Sequence, residues 1–283
     1  METEKTLVIS PEQLRGSLGL KGKFGLWVAK RVIRLLDIDK VNDIQSRYPD
    51  LKGPAFSEKV LEEVGVKYEI PSQDLANIPA EGGFITISNH HFGSIDGLIL
   101  NSVVGSRRPD YKLLTTFLLA LIPSLKEAFL PVDNLSGGKA DARSINGIRM
   151  ALRHIADGGC IGFFPAGEVG TWQKKKNRRE GGFFTIQDKP WADNITKLIK
   201  RSGLPVIPIY FEGTNSLTFH RLGLIHPRLR TVRLIHELFN KQGTTVKVRI
   251  GRPILPEEME GREITELSWY LRGRCYALKN AEE

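Results

Sequence analysis

"GGFITISNHHFGSIDGLILNSVVG", residues 82–105, reads first as a strand and then as a helix, and that pairing decides the fold. Two glycines open onto Phe84–Ile87, a compact apolar run rich in β-formers, and the chain leaves it at Asn89, His90 and His91. The following "IDGLILNSVVG" has helical character, with Gly105 expected as its stop. Strand, polar loop and helix in succession form the unit of an α/β protein, in which ligands sit where strands end in loops.

The same alternation extends outward from this stretch. On its N-terminal side, "SEKVLEEVGVKYEIP" predicts a short helix capped by Ser57, stopped near Gly65 and followed by an extended piece. On its C-terminal side, "KEAFLPVD" predicts a second strand, and "DARSINGIRMALRHIADGG" a helix capped by Asp141 with Gly158 past its end. "CIGFFPAG" is a third strand, "WADNITKLIKRSG" a helix, "LPVIPIYFEG" a fourth strand and "TTVKVRIGRPI" a fifth with clear alternation. The tail from Pro256 to Glu283 predicts one final charged helix, with Leu267, Leu271 and Leu278 packed on the body. The expected fold is therefore α/β: a mixed, largely parallel central sheet flanked by helices.

Ahead of the sheet, "GKFGLWVAKRVIRLLDID" (22–39) places Phe24, Trp27, Val28, Val32, Leu35 and Leu36 at helical spacing, with Lys23, Lys30, Arg31 and Arg34 between them. Such a basic amphipathic helix either packs on its own domain or lies in a lipid interface. The division expected is an N-terminal helical, membrane-associating segment over 1–70, an α/β domain over 71–255 and a packed C-terminal helix over 256–283.

Charge and composition narrow the classes. Lys plus Arg exceeds Asp plus Glu by 41 to 32, giving +9, which favours anionic lipid, an acidic carrier protein or nucleic acid as partner. Cys160 and Cys275 fit no metal-ligand spacing and read as buried reduced thiols. "METEKTLVISPEQLRG" lacks the basic start and apolar middle of a secretory signal. The most apolar run, "LLTTFLLALIPSL" (113–125), falls short of the roughly 20 residues that cross a bilayer. The location expected is the cytoplasmic face of the membrane, as a peripheral protein.

A histidine held by a carboxylate can serve as a general base, and "NHHFGSID" supplies that pair at a strand's exit. A structural hydrogen bond is the plainer alternative. No activated nucleophile accompanies it: the two cysteines read as buried reduced thiols, and Ser94 lacks the Gly-x-Ser-x-Gly elbow. Base-assisted direct transfer is thus favoured over a covalent enzyme intermediate. "FFPAGEVGTW" ends its strand with Pro165, Gly167 and Gly170 and leaves Glu168 in a loop, followed by "QKKKNRRE" with Lys174 and Arg178 among its cations. That basic run is either a solvated loop or a grip for phosphate or carboxylate. "HRLGLIHPRLR" adds cations with less to connect them to chemistry.

A histidine and an aspartate after the first core strand, an apolar run with Phe-Pro and Gly about 70 residues later and "LPVIPIY" after a helix give roughly residues 75–225 a resemblance to the lysophospholipid and glycerol-phosphate acyltransferase family. Within it "NHHFGSIDG", "FFPAGEV", "DKPW" and "EGTNS" make the chain most similar to the hemolysin-related bacterial group, which includes O-acyltransferases of ornithine and glycine lipids. The resemblance implies an enzyme that moves a fatty acyl group from acyl-CoA or acyl carrier protein to the hydroxyl of a lyso-lipid at a membrane surface. It implies no cofactor, no metal and no nucleic acid. Two departures bear on the acceptor. The family's Phe-Pro-Glu-Gly-Thr is here Phe164, Pro165, Ala166, Gly167 and Glu168, and Asp133 or Asn134 stands where an arginine usually grips glycerol phosphate. A lyso-aminolipid is therefore the expected acceptor and lysophosphatidate the alternative. A non-catalytic lipid-binding protein and nucleic-acid binding through "KKKNRR" are the readings from other classes.

The resemblance also frames the choice between the histidines. The broad family's His-x4-Asp selects His91 with Asp96, whereas the narrower group's Asn-His-x-x-Gly-x-x-Asp-Gly selects Asn89, His90, Gly93, Asp96 and Gly97. Five matching positions outweigh one spacing, so His90 is the expected base, His91 fills a neighbouring wall, and Asp96 is common to both.

Overall fold

The computed structural model describes residues 7–17, 19–116, 119, 121–132, 142–174, 184–226, 230, 231 and 233–280. Among these lie strands β1 (Lys67–Glu69), β2 (Ile85–Ser88), β3 (Lys112–Thr116), β4 (Phe129–Val132), β5 (Ile161–Phe163), β6 (Thr171–Lys174), β7 (Phe184–Gln187), β8 (Val206–Phe211) and β9 (Thr245–Ile250). Seven form one sheet in the order β1-β9-β8-β2-β5-β3-β4, while β6 and β7 make a separate antiparallel pair. The large sheet is parallel at every pairing except β8 with β9, so it is the mixed, largely parallel sheet expected.

β2 lies in the middle, with Ile85 in register with Ile161 on one side and Val206 on the other. Successive residues of a strand face opposite ways, and the two cores divide accordingly. Phe84, Ile207, Ile209 and Phe211 enter one core together with Phe56, Leu61, Leu98 and Val246. Ile85, Ile87, Val206 and Tyr210 enter the other with Ile199, Leu267, Leu271 and Cys275. A strand buried on both faces needs a continuous apolar run, which is why "FITI" and "VIPIYF" show little alternation.

Several expectations are corrected. Gly105 does not stop its helix, which runs from Ser94 to Arg107. A Cβ there would lie 2.9 Å from Pro54 Cγ, so this glycine permits close approach of the Gly53–Val64 helix. Ser57 is not a cap: it is buried inside that helix, and its hydroxyl accepts the Asn101 Nδ2–H at 2.8 Å. Gly65 does end the helix, at φ +68°. The tail is two helices, Pro256–Met259 and Ile264–Ala277, parted at Gly261 with φ +71°. Leu267 and Leu271 are fully buried, while Leu278 begins a 3-10 turn, Leu278–Asn280.

β3 and the β6–β7 pair had no counterpart in the sequence reading. β3 hides in the apolar run considered for the membrane, and β6 begins the stretch taken as a basic loop. Asp141, Asp133, Asn134 and Arg178 lie outside the described residues. Cys160 and Cys275 are free and buried, with burial pushing the Cys160 thiol up to about 12 and the Cys275 thiol up as well. Both are held as inert thiols.

At the N-terminal side the Gly22–Leu35 helix buries Gly25, Ala29 and Ile33. Phe24, Trp27 and Leu35, three residues of the expected apolar stripe, are instead exposed at 72%, 54% and 78%. Lys23, Lys30, Arg31 and Arg34 share that exposure, and Arg31 lies over the Trp27 ring at 5.3 Å. Among the described residues no helix is long and apolar enough to cross a membrane.

Candidate active site

The site assembles where β2 gives way to the Ser94–Arg107 helix. Asp96 sits in the first turn of that helix, fully buried, where backbone N–H groups need acceptors. Its Oδ2 accepts the Phe92 N–H at 2.9 Å and the Gly93 N–H at 3.0 Å, and lies 3.0 Å from His90 Nδ1. An acceptor already receiving two backbone donors fixes the imidazole tautomer: Nδ1 carries the hydrogen and donates it, leaving Nε2 with a lone pair. The turn requires Gly93, whose φ is +81° and whose missing Cβ would stand 2.7 Å from Leu234 Cδ2.

Besides Asp96, three contacts fix the backbone and ring of His90. Its N–H donates to Asp188 Oδ1 at 3.1 Å, and its carbonyl accepts the Gly170 N–H at 2.7 Å. Its ring stacks on Phe164 with centroids 3.9 Å apart and is 13% exposed. The preceding Asn89 uses its whole amide on one partner: Nδ2 donates to the Phe211 carbonyl at 2.9 Å and Oδ1 accepts the Phe211 N–H at 2.7 Å. Asn89 thus ties the end of β2 to β8 and positions His90.

His91 points elsewhere. Its Nδ1 donates to the Gly213 carbonyl at 2.9 Å, in the loop after β8, and its Nε2 is buried without a hydrogen-bond partner among the described residues. Tyr210 and Tyr276 present their ring edges to it at 6.1 and 6.2 Å. Gly213, at φ +111°, admits this arrangement because a Cβ would press on the Phe92 ring at 2.6 Å.

The "FFPAGEV" segment runs alongside. Pro165 is buried and its carbonyl accepts the Ala192 N–H at 3.0 Å, while Gly167 turns the chain at φ +70°. Glu168 pairs with Lys189 Nζ at 2.5 Å and with the Arg230 guanidinium. Lys174 is the last residue of β6. The structure therefore brings Asn89, His90, Gly93 and Asp96 together, reaches Gly167 through Phe164 and Glu168 through Arg230 and Gly170, and leaves Pro165 tied to Ala192.

Two residues of the site went unweighed in the sequence. Asp188, in "DKPW", receives the His90 N–H and, on Oδ2, the Trp191 Nε1–H at 3.0 Å; burial raises its pKa, opposed by His91, Trp191 and His90. Arg230, from "HRLGLIHPRLR", reaches Glu168 across 62 residues, and burial lowers its pKa against the pull of that carboxylate. A carboxylate and a guanidinium in sequence carry no sign that they will meet; only the fold supplies it. Among the described residues no cluster of three or more His, Cys, Asp or Glu is arranged to hold a metal ion.

Residues 17–283 match a family model described as Acyltransferase. A relative from Phocaeicola vulgatus named lyso-glycine lipid O-acyltransferase is 27% identical over 265 residues, covering 90% of this chain and 88% of its own. One of the same name from Bacteroides thetaiotaomicron is 25% identical over 262 residues, covering 89% and 90%. The crystal structure of 1-acyl-sn-glycerophosphate acyltransferase from Thermotoga maritima overlays with a TM-score of 0.46 at 16% identity, covering 81% of this chain and 83% of that one.

Proposed function

Because the chain belongs to the acyltransferase family, we propose that it O-acylates a lyso-lipid, specifically a lyso-glycine lipid, using a fatty acyl thioester of CoA or carrier protein as donor. The observation that carries this reading is the 3.0 Å contact of His90 Nδ1 with the buried Asp96 at the exit of the central strand. His90 Nε2 takes the proton from the acceptor hydroxyl as its oxygen attacks the thioester carbonyl. The tetrahedral intermediate collapses with cleavage of the C–S bond, and the imidazolium returns the proton to the departing thiolate. Asp96 stabilises that imidazolium while it lasts.

Two further features support a lipid substrate. An apolar cavity lies against the helix that bears Asp96, lined by Ser94 and Leu98 beside it and by Val41, Phe56, Leu119 and Leu238 among others. Among the described residues Ser94 is its one polar lining residue, so its wall matches an aliphatic group in polarity. The exposed Phe24, Trp27 and Leu35 with their four neighbouring cations suit docking on an anionic lipid surface. The test is transfer of a labelled acyl group from CoA and from carrier protein to a panel of lyso-lipids, lysophosphatidate included. Acylated glycine lipid is the expected product, and no transfer to any acceptor by folded protein would contradict the reading.

A further inference from the structure

Arg230 and Glu168 are unequally held. The Arg230 side chain is 7% exposed, its Nη1 donates to the Gly170 carbonyl at 3.4 Å, and its guanidinium lies 5.8 Å from the Phe219 ring centroid. Its stem runs past Gly223, where a Cβ would stand 2.8 Å from Arg230 Cδ. A guanidinium this deep needs an anion at all times. Glu168, which supplies it, is 33% exposed and sits on a loop next to Gly167. It also has a second cation in Lys189, which is 51% exposed. The cation is buried, whereas the anion is a third exposed and already divides its charge between two cations. Gly170, whose carbonyl touches Arg230, is the residue whose N–H holds the His90 carbonyl, so the guanidinium is tied through Gly170 to the backbone that carries the proposed base.

We propose that Arg230 recognises the headgroup carboxylate of the acceptor, with Glu168 holding that place and keeping Lys189 alone as its partner when the acceptor's carboxylate replaces it. This deepens the lyso-glycine lipid reading and rests on it: a glycine joined to its lipid through the amine keeps one carboxylate. Exchanging carboxylate for carboxylate leaves the charge around the buried guanidinium unchanged and matches its planar fork. A phosphate monoester would bring up to about two negative charges to the same place. Arg230 is thus a specificity-determining residue, and Glu168 its internal competitor.

Binding of an N-acylglycine and of the matching N-acylglycinamide, measured without acyl donor on the wild-type protein, Arg230→Met and Glu168→Gln, tests this. The wild type should prefer the carboxylate by about tenfold or more, the scale of one charge-assisted hydrogen-bonded pair. Arg230→Met should bring the ratio close to one. Glu168→Gln should tighten the carboxylate ligand several-fold, since a neutral amide competes less well; a merely structural ion pair would instead weaken it. If Arg230→Met does not fold, the direction of the Glu168→Gln change decides. No preference in the wild type, a preference that survives Arg230→Met, or weaker binding in Glu168→Gln overturns the proposal. Transfer assays separate the two claims. Acyl transfer without carboxylate preference removes the headgroup reader and keeps the acyltransferase reading, whereas preference without transfer to any lyso-lipid does the reverse.

Discussion

His90 and His91 are neighbours in the chain, yet the two sides of the strand exit treat them differently. On the His90 side, the ring nitrogen Nδ1 meets a fully buried carboxylate, the backbone is held by Asp188 and Gly170, and the ring still reaches solvent. On the His91 side, Nδ1 is spent on a backbone carbonyl and Nε2 is enclosed with no partner among the described residues. On the reading proposed above, one side orients a base towards a reactant and the other fastens a loop. Whether a histidine does chemistry follows from what its two nitrogens face, and a doubled histidine lets one sequence motif serve both purposes.

Changes on the His90 side should therefore cost activity, and changes on the other side mainly stability. Next to removal of His90 itself, the largest effect is expected for Asp96→Asn. An amide oxygen at the Oδ2 position keeps the Phe92, Gly93 and His90 donors, so the turn survives while the negative charge opposite the imidazolium is lost. Acyl transfer should fall by about 10²–10⁴-fold, the usual share of general-base catalysis, with thermal unfolding little changed. Retention of full rate by this variant would reduce the pair to a structural hydrogen bond.

Asp188→Asn comes next. Both of its oxygens face donors that cannot accept, His90 N–H and Trp191 Nε1–H, so an amide NH2 must oppose one of them. We expect about 1–3 kcal/mol of lost stability in denaturant titration and a fall of roughly 10–100-fold in transfer, as His90 shifts.

The smallest effect belongs to the His91 side. His220 bonds Thr214 through Nε2 at 2.9 Å, leaves Nδ1 buried without a partner among the described residues, and has its pKa pushed down to about 4 by burial and then by Arg230. His91 and Lys241 press the same way, against Glu237. Its folded pKa lies below the ordinary value of 6.5, so between about 4 and 6.5 the unfolded chain binds a proton that the folded one refuses. Stability rises with pH across that window and is lost as pH falls through it. Relative to His220→Phe, the wild type should lose about 1–2 kcal/mol more of unfolding free energy between pH 6.5 and 4. Parallel pH profiles for the two proteins would show that the buried imidazole is not neutral.

What the sequence disclosed of this comparison divides along physical lines. The strand–loop–helix of residues 82–105 was legible because a run buried on both faces, a polar exit and a helical stretch are local patterns. So was the pairing of a histidine with Asp96, only a few residues apart. The second carboxylate, Asp188, and the buried cation, Arg230, were not, since their contacts span 98 and 62 residues. β3 was missed because a buried parallel strand lacks alternation, and Gly105 was misread because its use lies in Pro54 of another helix. Phe24, Trp27 and Leu35 show the converse: helical spacing identified the helix but not which of its faces would be covered.

Acyl transfer by His90→Ala beside His91→Ala, at saturating thioester and lyso-glycine lipid, measures directly which neighbour is the base. We predict that His90→Ala loses at least about 10³-fold in rate, while folded His91→Ala stays within roughly tenfold of the wild type. A His91→Ala variant that is folded but inactive, next to an active His90→Ala, would contradict it.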